Sequence, residues 1–249
     1  MPYDKKPKMI LFDVGGTLFD DTRCIARDGL SALKKFSKNP EIATDEKLEN
    51  LWNEYMAEIH SDLKSVSGIK LDMPLSCVLK YVTMNAGLRF DISMPEQEEI
   101  FDRFNSSRKV IDGVKELLEA LDSLSIRTAV ISNNAMSGEG LRLSINRWIP
   151  ENKMEFFLTS ADLLFTKPDK SLFIAAANYA HVDPNDCWYC GDGRIPDVDG
   201  ARNAGMTPVL LDEESEIPLE WRNDGGSGEY LAVNNWNELR KYIIESFKI

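Results

Sequence analysis

Five residues of the chain could together transfer a phosphoryl group, because their side chains supply carboxylates, a hydroxyl and an ammonium. They are Asp13, Ser132, Lys167, Asp192 and Asp197. The aspartates and the serine follow apolar, strand-like runs, and the lysine lies in a loop before a proline. In such a set one carboxylate attacks phosphorus, the others hold Mg²⁺, and the cation and hydroxyl stabilise the phosphoryl oxygens. This chemistry requires a fold that brings the five residues together.

Apolar, β-prone runs alternate with amphipathic helical segments over much of the chain. The predicted strands are at 9–12, 127–131, 155–159, 186–190 and 207–211, and the helices between or after them are at 113–124, 171–180 and 236–247. This alternation is typical of an α/β protein with a doubly wound, parallel, five-stranded, Rossmann-like sheet. The carboxyl ends of parallel strands lie on one edge of the sheet, so the polar residues that follow them can converge there.

Residues 20–107 have a different pattern, with apolar residues at helical spacing and no strand-like run. Four amphipathic helices are predicted, at 25–36, 44–63, 74–86 and 93–104. The sequence therefore predicts a core domain formed by 1–19 and 108–249, with an α-helical domain at 20–107 inserted after the first strand.

Composition restricts the kinds of partner. The chain has 249 residues, 41 acidic against 29 basic, and a net charge of −12, which disfavours nucleic acid and anionic membranes. No apolar run approaches the roughly 20 residues of a membrane span, and the first eight residues lack a signal-peptide pattern. The four cysteines suit a reducing compartment, so a cytoplasmic location is expected. The sequence does not predict the oligomeric state.

Four short motifs resemble, in order, those of the haloacid dehalogenase (HAD) superfamily. They are Phe12-Asp13-Val14-Gly15-Gly16-Thr17-Leu18, Ile131-Ser132-Asn133-Asn134, Lys167-Pro168, and Gly191-Asp192 with Asp197. The resemblance covers the whole predicted core. It implies that the inserted helices form a cap of the kind found in phosphoglycolate-phosphatase-like members, and that the protein is a hydrolase of a small phosphorylated metabolite.

The resemblance also implies a role for each motif residue. Asp13 would be the nucleophile that forms an aspartyl-phosphate, and Thr17 would support its loop. Ser132, Asn133 and Lys167 would hold the transferring phosphoryl group.

The same resemblance implies a Mg²⁺ site. Its ligands would be the Asp13 and Asp192 carboxylates and the backbone carbonyl of Gly15, with Asp197 binding the ion directly or through water. Hard oxygen ligands of this kind are those that Mg²⁺ prefers.

The chain departs from the phosphatase pattern at Gly15. Phosphatases of this family usually carry a second Asp at this position, which protonates the leaving alkoxide and later activates water. A glycine has no side chain for that purpose, so acid–base catalysis should be weaker by ~10²- to 10⁴-fold if nothing replaces it. The metal site need not suffer, because the family uses the main-chain carbonyl of this residue.

Three alternatives remain open on the sequence. The 2-haloacid dehalogenases also lack this second Asp, but they replace the residue equivalent to Asp192 and use an early cap arginine, and residues 29–87 contain no arginine. Phosphonoacetaldehyde hydrolases need a cap lysine for a Schiff base, for which Lys47 and Lys64 are candidates. A phosphate-binding or regulatory protein with little turnover is the third alternative.

Overall fold

The structure is a computed structural model that describes residues 5–65, 73–223, 225 and 228–247. Its strands, in chain order, are β1 (Met9–Phe12), β2 (Phe19–Cys24), β3 (Ser106–Val110), β4 (Arg127–Ser132), β5 (Phe157–Thr159), β6 (Cys187–Gly191), β7 (Thr207–Leu211), β8 (Leu219–Arg222) and β9 (Tyr230–Val233). Seven of them form one sheet in the order β5-β4-β1-β6-β7-β9-β8, in which only β8 runs antiparallel to its neighbour.

The helices of the described residues are α1 (Ala26–Lys35), α2 (Asp45–Ser65), α3 (Leu75–Ala86), α4 (Met94–Asn105), α5 (Val114–Ser123), α6 (Gly138–Trp148), α7 (Ser160–Leu163), α8 (Lys170–Ala180), α9 (Gly200–Asn203) and α10 (Trp236–Phe247). Among these residues, no helix combines the length and apolar character needed to cross a membrane.

The predicted α/β class, with a mostly parallel sheet and helices on both faces, is confirmed. The five predicted strands form the consecutive part β5-β4-β1-β6-β7. The predicted number of five is too low, because β9 pairs in parallel with β7 and β8 closes the edge in antiparallel fashion.

The central strand β1 is buried on both faces, and all four of its side chains are fully buried. Phe12 contacts Trp236 of α10 on one face, with the ring centroids 6.3 Å apart. Leu11, which points to the opposite face, belongs to a second apolar cluster that includes Phe173 of α8. A strand with both faces covered reads as a continuous apolar run, which is why the sequence located β1 correctly.

The segment between β1 and β4 contains the four predicted helices α1 to α4, but it also contains two strands. β2 and β3 pair in antiparallel fashion at the two ends of this helical segment. The expectation that residues 20–107 hold no strand is therefore wrong. The division into domains at 1–19, 20–107 and 108–249 stays a prediction.

Helix α4 is attached to α6 through buried charged residues. Asp102 of α4 and Arg108 of β3 form an ion pair of 2.9 Å, and both side chains are less than one-tenth exposed. The hydroxyl of Ser144, on α6, lies 2.8 Å from each of them. Glu98, also fully buried, accepts hydrogen bonds from the backbone and hydroxyl of Ser137, which caps α6.

Candidate active site

The carboxyl edge of the sheet brings three predicted carboxylates together. Asp13 follows β1, and Asp192 follows the adjacent strand β6, while Asp197 lies in the helical turn beyond it. One carboxylate oxygen from each of the three lies within 4.8 Å of the others. Ser132 ends β4, on the other side of β1, and is buried.

The loop after β1 needs its second glycine. Gly16 has a φ of +67°, and a Cβ at this position would lie 2.3 Å from Oδ2 of Asp192. Thr17, which is fully buried, has its hydroxyl 3.4 Å from Oδ1 of Asp192. The carbonyl of Thr17 accepts a hydrogen bond of 2.7 Å from the indole of Trp236, which ties α10 to this loop.

Gly15 differs from its neighbour. A Cβ built there meets no atom within 4 Å, and the residue is exposed. A side chain at this position would therefore enter open space above the backbone.

Lys167 lies beneath the carboxylates, with a side chain only 1% exposed. Its ammonium is 2.9 Å from Oδ1 of Asp13 and 2.6 Å from Oδ1 of Asp197. It also donates a 2.8 Å hydrogen bond to the hydroxyl of Tyr189. The side chain of Asn133 forms two hydrogen bonds with the backbone of Lys167. It accepts from the N–H at 2.8 Å and donates to the carbonyl at 3.2 Å. The substrate-binding role predicted for Asn133 stays a prediction.

The two carboxylates beyond β6 have raised pKa values. Burial is the main cause of the higher pKa of Asp197, partly offset by the Lys167 ammonium and reinforced by Asp13. Desolvation is also the first cause for Asp192, followed by the charge of Asp13. Oδ2 of Asp197 accepts a 2.8 Å hydrogen bond from the backbone N–H of Gly193.

The donor set fits a divalent cation. Three carboxyl groups converge beside one ammonium, so ionisation of all three would leave negative charge that a divalent cation could neutralise. All the side-chain donors are hard oxygens, which suits Mg²⁺. Asp13, Asp192 and Asp197, with the carbonyl of Gly15, are the groups that would hold it.

Sequence reasoning missed Tyr189 and Trp236, both fully buried. Tyr189 lies within the apolar run of β6. Its hydroxyl could have indicated a polar contact inside the core, since a buried tyrosine usually needs a hydrogen-bond partner. Trp236 was predicted as the start of the last helix but not as a support for the loop after β1.

The carboxylates and the lysine lie at the carboxyl edge of a doubly wound sheet. This places the protein in the class of α/β proteins whose ligand site lies at the strand ends. The chain belongs to the haloacid dehalogenase-like hydrolase family, whose sequence model matches residues 10–211.

Two curated relatives match part of the chain. The haloacid dehalogenase-like hydrolase domain-containing protein 3 of Homo sapiens is 30% identical over 125 residues, which are 47% of this chain and 46% of the relative. The glyceraldehyde 3-phosphate phosphatase of Methanopyrus kandleri is 29% identical over 108 residues, 43% of this chain and 44% of the relative. The chain thus spans about half the length of the curated relatives it matches.

A solved structure shows the same fold over nearly the whole chain. The 2-haloacid dehalogenase from Pseudomonas syringae pv. Tomato DC3000 superposes with a TM-score of 0.58 at 22% identity, covering 96% of this chain and 98% of that one. At this identity the likeness concerns the fold alone.

Proposed function

We propose that the protein is a Mg²⁺-dependent hydrolase of small phosphorylated metabolites that works through an aspartyl-phosphate on Asp13. The observation that supports this most directly is the Asp13 carboxylate, which lies beside a buried ammonium and within one acidic cluster with Asp192 and Asp197. A nucleophile, a cation and hard-oxygen ligands at one point are what phosphoryl transfer needs.

In the first step a carboxylate oxygen of Asp13 attacks the phosphorus, and the bond to the leaving oxygen breaks. In the second step water attacks the phosphorus of the aspartyl-phosphate, which releases inorganic phosphate and restores the carboxylate. Lys167, held by Asp13 and Asp197, places its positive charge against the phosphoryl oxygens. Mg²⁺, when bound, would supply further neutralisation of the charge that develops on those oxygens.

The proposed mechanism has no side chain at position 15 to protonate the leaving oxygen. Gly15 offers no acid, and the space above it is open, so the oxygen departs largely as an anion. Aryl and acyl phosphates, which have acidic leaving groups, should therefore be better substrates than simple alkyl phosphates.

Two other hydrolytic reactions are less well supported. Asp192 remains within the acidic cluster, which favours metal-dependent phosphate chemistry over dehalogenation without metal. A Schiff-base mechanism would need Lys47 or Lys64. The ammonium of Lys47, on α2, lies 3.5 Å from the carbonyl oxygen of Ala86, which ends α3. Lys64 lies outside the residues whose side chains are described.

The test is a panel of aryl, acyl and alkyl phosphates and 2-haloacids, run with Mg²⁺ or with EDTA. Phosphate release that needs Mg²⁺ and disappears in Asp13→Asn is expected. Asp91→Asn, at a carboxylate that is 76% exposed, is the matched control and should leave the rate unchanged. Halide release in EDTA would instead assign a dehalogenase, and Mg²⁺ binding without turnover would assign a phosphate-binding protein.

A further inference from the structure

Tyr189 lies within the site although the proposed chemistry does not use it. Its side chain is fully buried on β6, and its ring packs edge-on against Phe173, with the centroids 4.8 Å apart. Its hydroxyl is 2.8 Å from the Lys167 ammonium and 2.9 Å from the carbonyl oxygen of Ile131.

The direction of these hydrogen bonds is fixed by the groups themselves. An ammonium only donates and a carbonyl oxygen only accepts. The phenol of Tyr189 therefore accepts from Lys167 and donates its single proton to Ile131. Asp197, whose Oδ1 is 3.2 Å from the phenol, is the more distant acceptor.

Tyr189 completes the coordination of the lysine. The Lys167 ammonium donates hydrogen bonds to Asp197 and Tyr189 and forms an ion pair with Asp13 at 2.9 Å. The contact with Asp13 must change when that carboxylate becomes phosphorylated. The phenol is neutral and is not itself phosphorylated, so its contact with the lysine can persist through the reaction.

The same hydroxyl links strands that are not neighbours. Tyr189 is on β6 and Ile131 is on β4, and β1, which Asp13 directly follows, lies between them. Ile131 directly precedes Ser132 in the chain. Through this hydroxyl, the position of the Lys167 ammonium is fixed relative to β4 and β6, the strands on both sides of the one that Asp13 follows.

We infer that Tyr189 is a positioning residue whose hydroxyl, anchored on the Ile131 carbonyl, holds the Lys167 ammonium in the orientation that stabilises the transferring phosphoryl group. The inference rests on the proposed function, since it assigns Lys167 to the phosphoryl oxygens. It adds a group that the family motifs in this sequence do not contain.

Tyr189→Phe tests the inference, because it keeps the ring and removes only the hydroxyl. The loss of a hydrogen bond to a charged group should lower kcat by about 10- to 100-fold, with KM changed by less than about threefold. Affinity for orthovanadate, which adopts the five-coordinate geometry of the transition state, should fall more than affinity for inorganic phosphate. Tyr242→Phe, at a partly buried tyrosine stacked on Trp188, is the control and should change neither quantity.

An unchanged kcat, or equal losses of vanadate and phosphate affinity, would overturn the positioning role. Both affinities are measured by calorimetry with Mg²⁺ present, so they do not depend on turnover. A wild-type protein that binds both anions but hydrolyses no phosphate ester would refute the proposed function, while the affinity ratio would still decide the role of Tyr189. Failure of the wild type to bind either anion would refute both.

Discussion

Asp192 is the most accessible of the three clustered carboxylates, and its pKa is raised by desolvation and by the neighbouring charge of Asp13. Asp192→Asn should abolish Mg²⁺-dependent activity and leave the fold intact, because it removes a metal ligand and relieves repulsion without changing the side-chain size. Activity titrated against Mg²⁺, with thermal unfolding in EDTA, measures both effects. Unchanged Mg²⁺ dependence in this variant would contradict the assignment.

Gly15 is the residue at which a catalytic group could be added. A Cβ there meets nothing within 4 Å, and the backbone is outside the left-handed region, so Gly15→Asp should be accommodated. A carboxylic acid near the leaving oxygen should recover part of the ~10²- to 10⁴-fold that general acid catalysis supplies. The gain should be larger for an alkyl phosphate than for an aryl phosphate, since only the poor leaving group needs the proton.

The rates of both esters with Gly15→Asp and Gly15→Asn decide this prediction. Asn has the same shape as Asp but no acidic proton, so it should give no such gain. Equal gains with Asp and Asn would show that the gain does not come from proton donation. Native alkyl turnover as fast as aryl turnover would show that another group already supplies the proton.

At this scale the sequence predicted the residues that end strands, and it missed those that act from within them. Asp13 was found because a carboxylate stops an apolar run. Tyr189 was missed because its role depends on which face of β6 it occupies and on the order of the strands. Strand order is a tertiary property that a short apolar run does not encode.

At the scale of elements, the buried charges of Asp102 and Arg108 hold the inserted helices to α6. Arg108→Met should destabilise the protein by about 3–5 kcal/mol, because it leaves the Asp102 carboxylate buried without its cation. The double variant Arg108→Met with Asp102→Leu should recover most of this loss, since neither charge of the pair is then left buried without its partner. Urea unfolding measures the free energies.

The matched control is Arg142→Met, which breaks an exposed ion pair with Glu139 on the surface of α6. Such pairs contribute about 0–1 kcal/mol, so the control should unfold nearly as the wild type does. If Arg108→Met behaves like Arg142→Met, the buried pair does not hold α4 in place.

Among the strands that the sequence missed, β2, β3 and β8 are defined by pairing rather than by a pattern of their own, whereas β9 is a short apolar run that is buried along its length and was overlooked. β2 and β3 are short and largely polar, and they pair with each other as a separate two-stranded sheet. β8 is half-buried along its length and lies at the sheet edge, where no continuous apolar run is required. Helix α6 was also not among the predicted elements.

On the scale of the whole molecule, one apolar cluster continues from the sheet into the inserted helices. It contains Phe12 and Trp236 of the core together with Leu79 of α3 and Phe101 of α4. The inserted helices therefore share apolar contacts with the face of the sheet that carries α10. The four predicted helices are all present, and their placement on this face follows from packing that a linear pattern does not show.

The net charge of the molecule affects the rate at which it encounters its proposed substrate. A chain with a net charge of −12 repels a phosphate ester at long range, and salt screens that repulsion as the Debye length falls from about 30 Å at 0.01 M to about 8 Å at 0.15 M. At saturating Mg²⁺, kcat/KM should therefore rise by about two- to fivefold between these ionic strengths. The value of kcat, measured with the substrate already bound, is the internal control and should stay constant. A fall of kcat/KM with salt would contradict this expectation, because it would mean that cations close to the site, and not the net charge, govern the encounter.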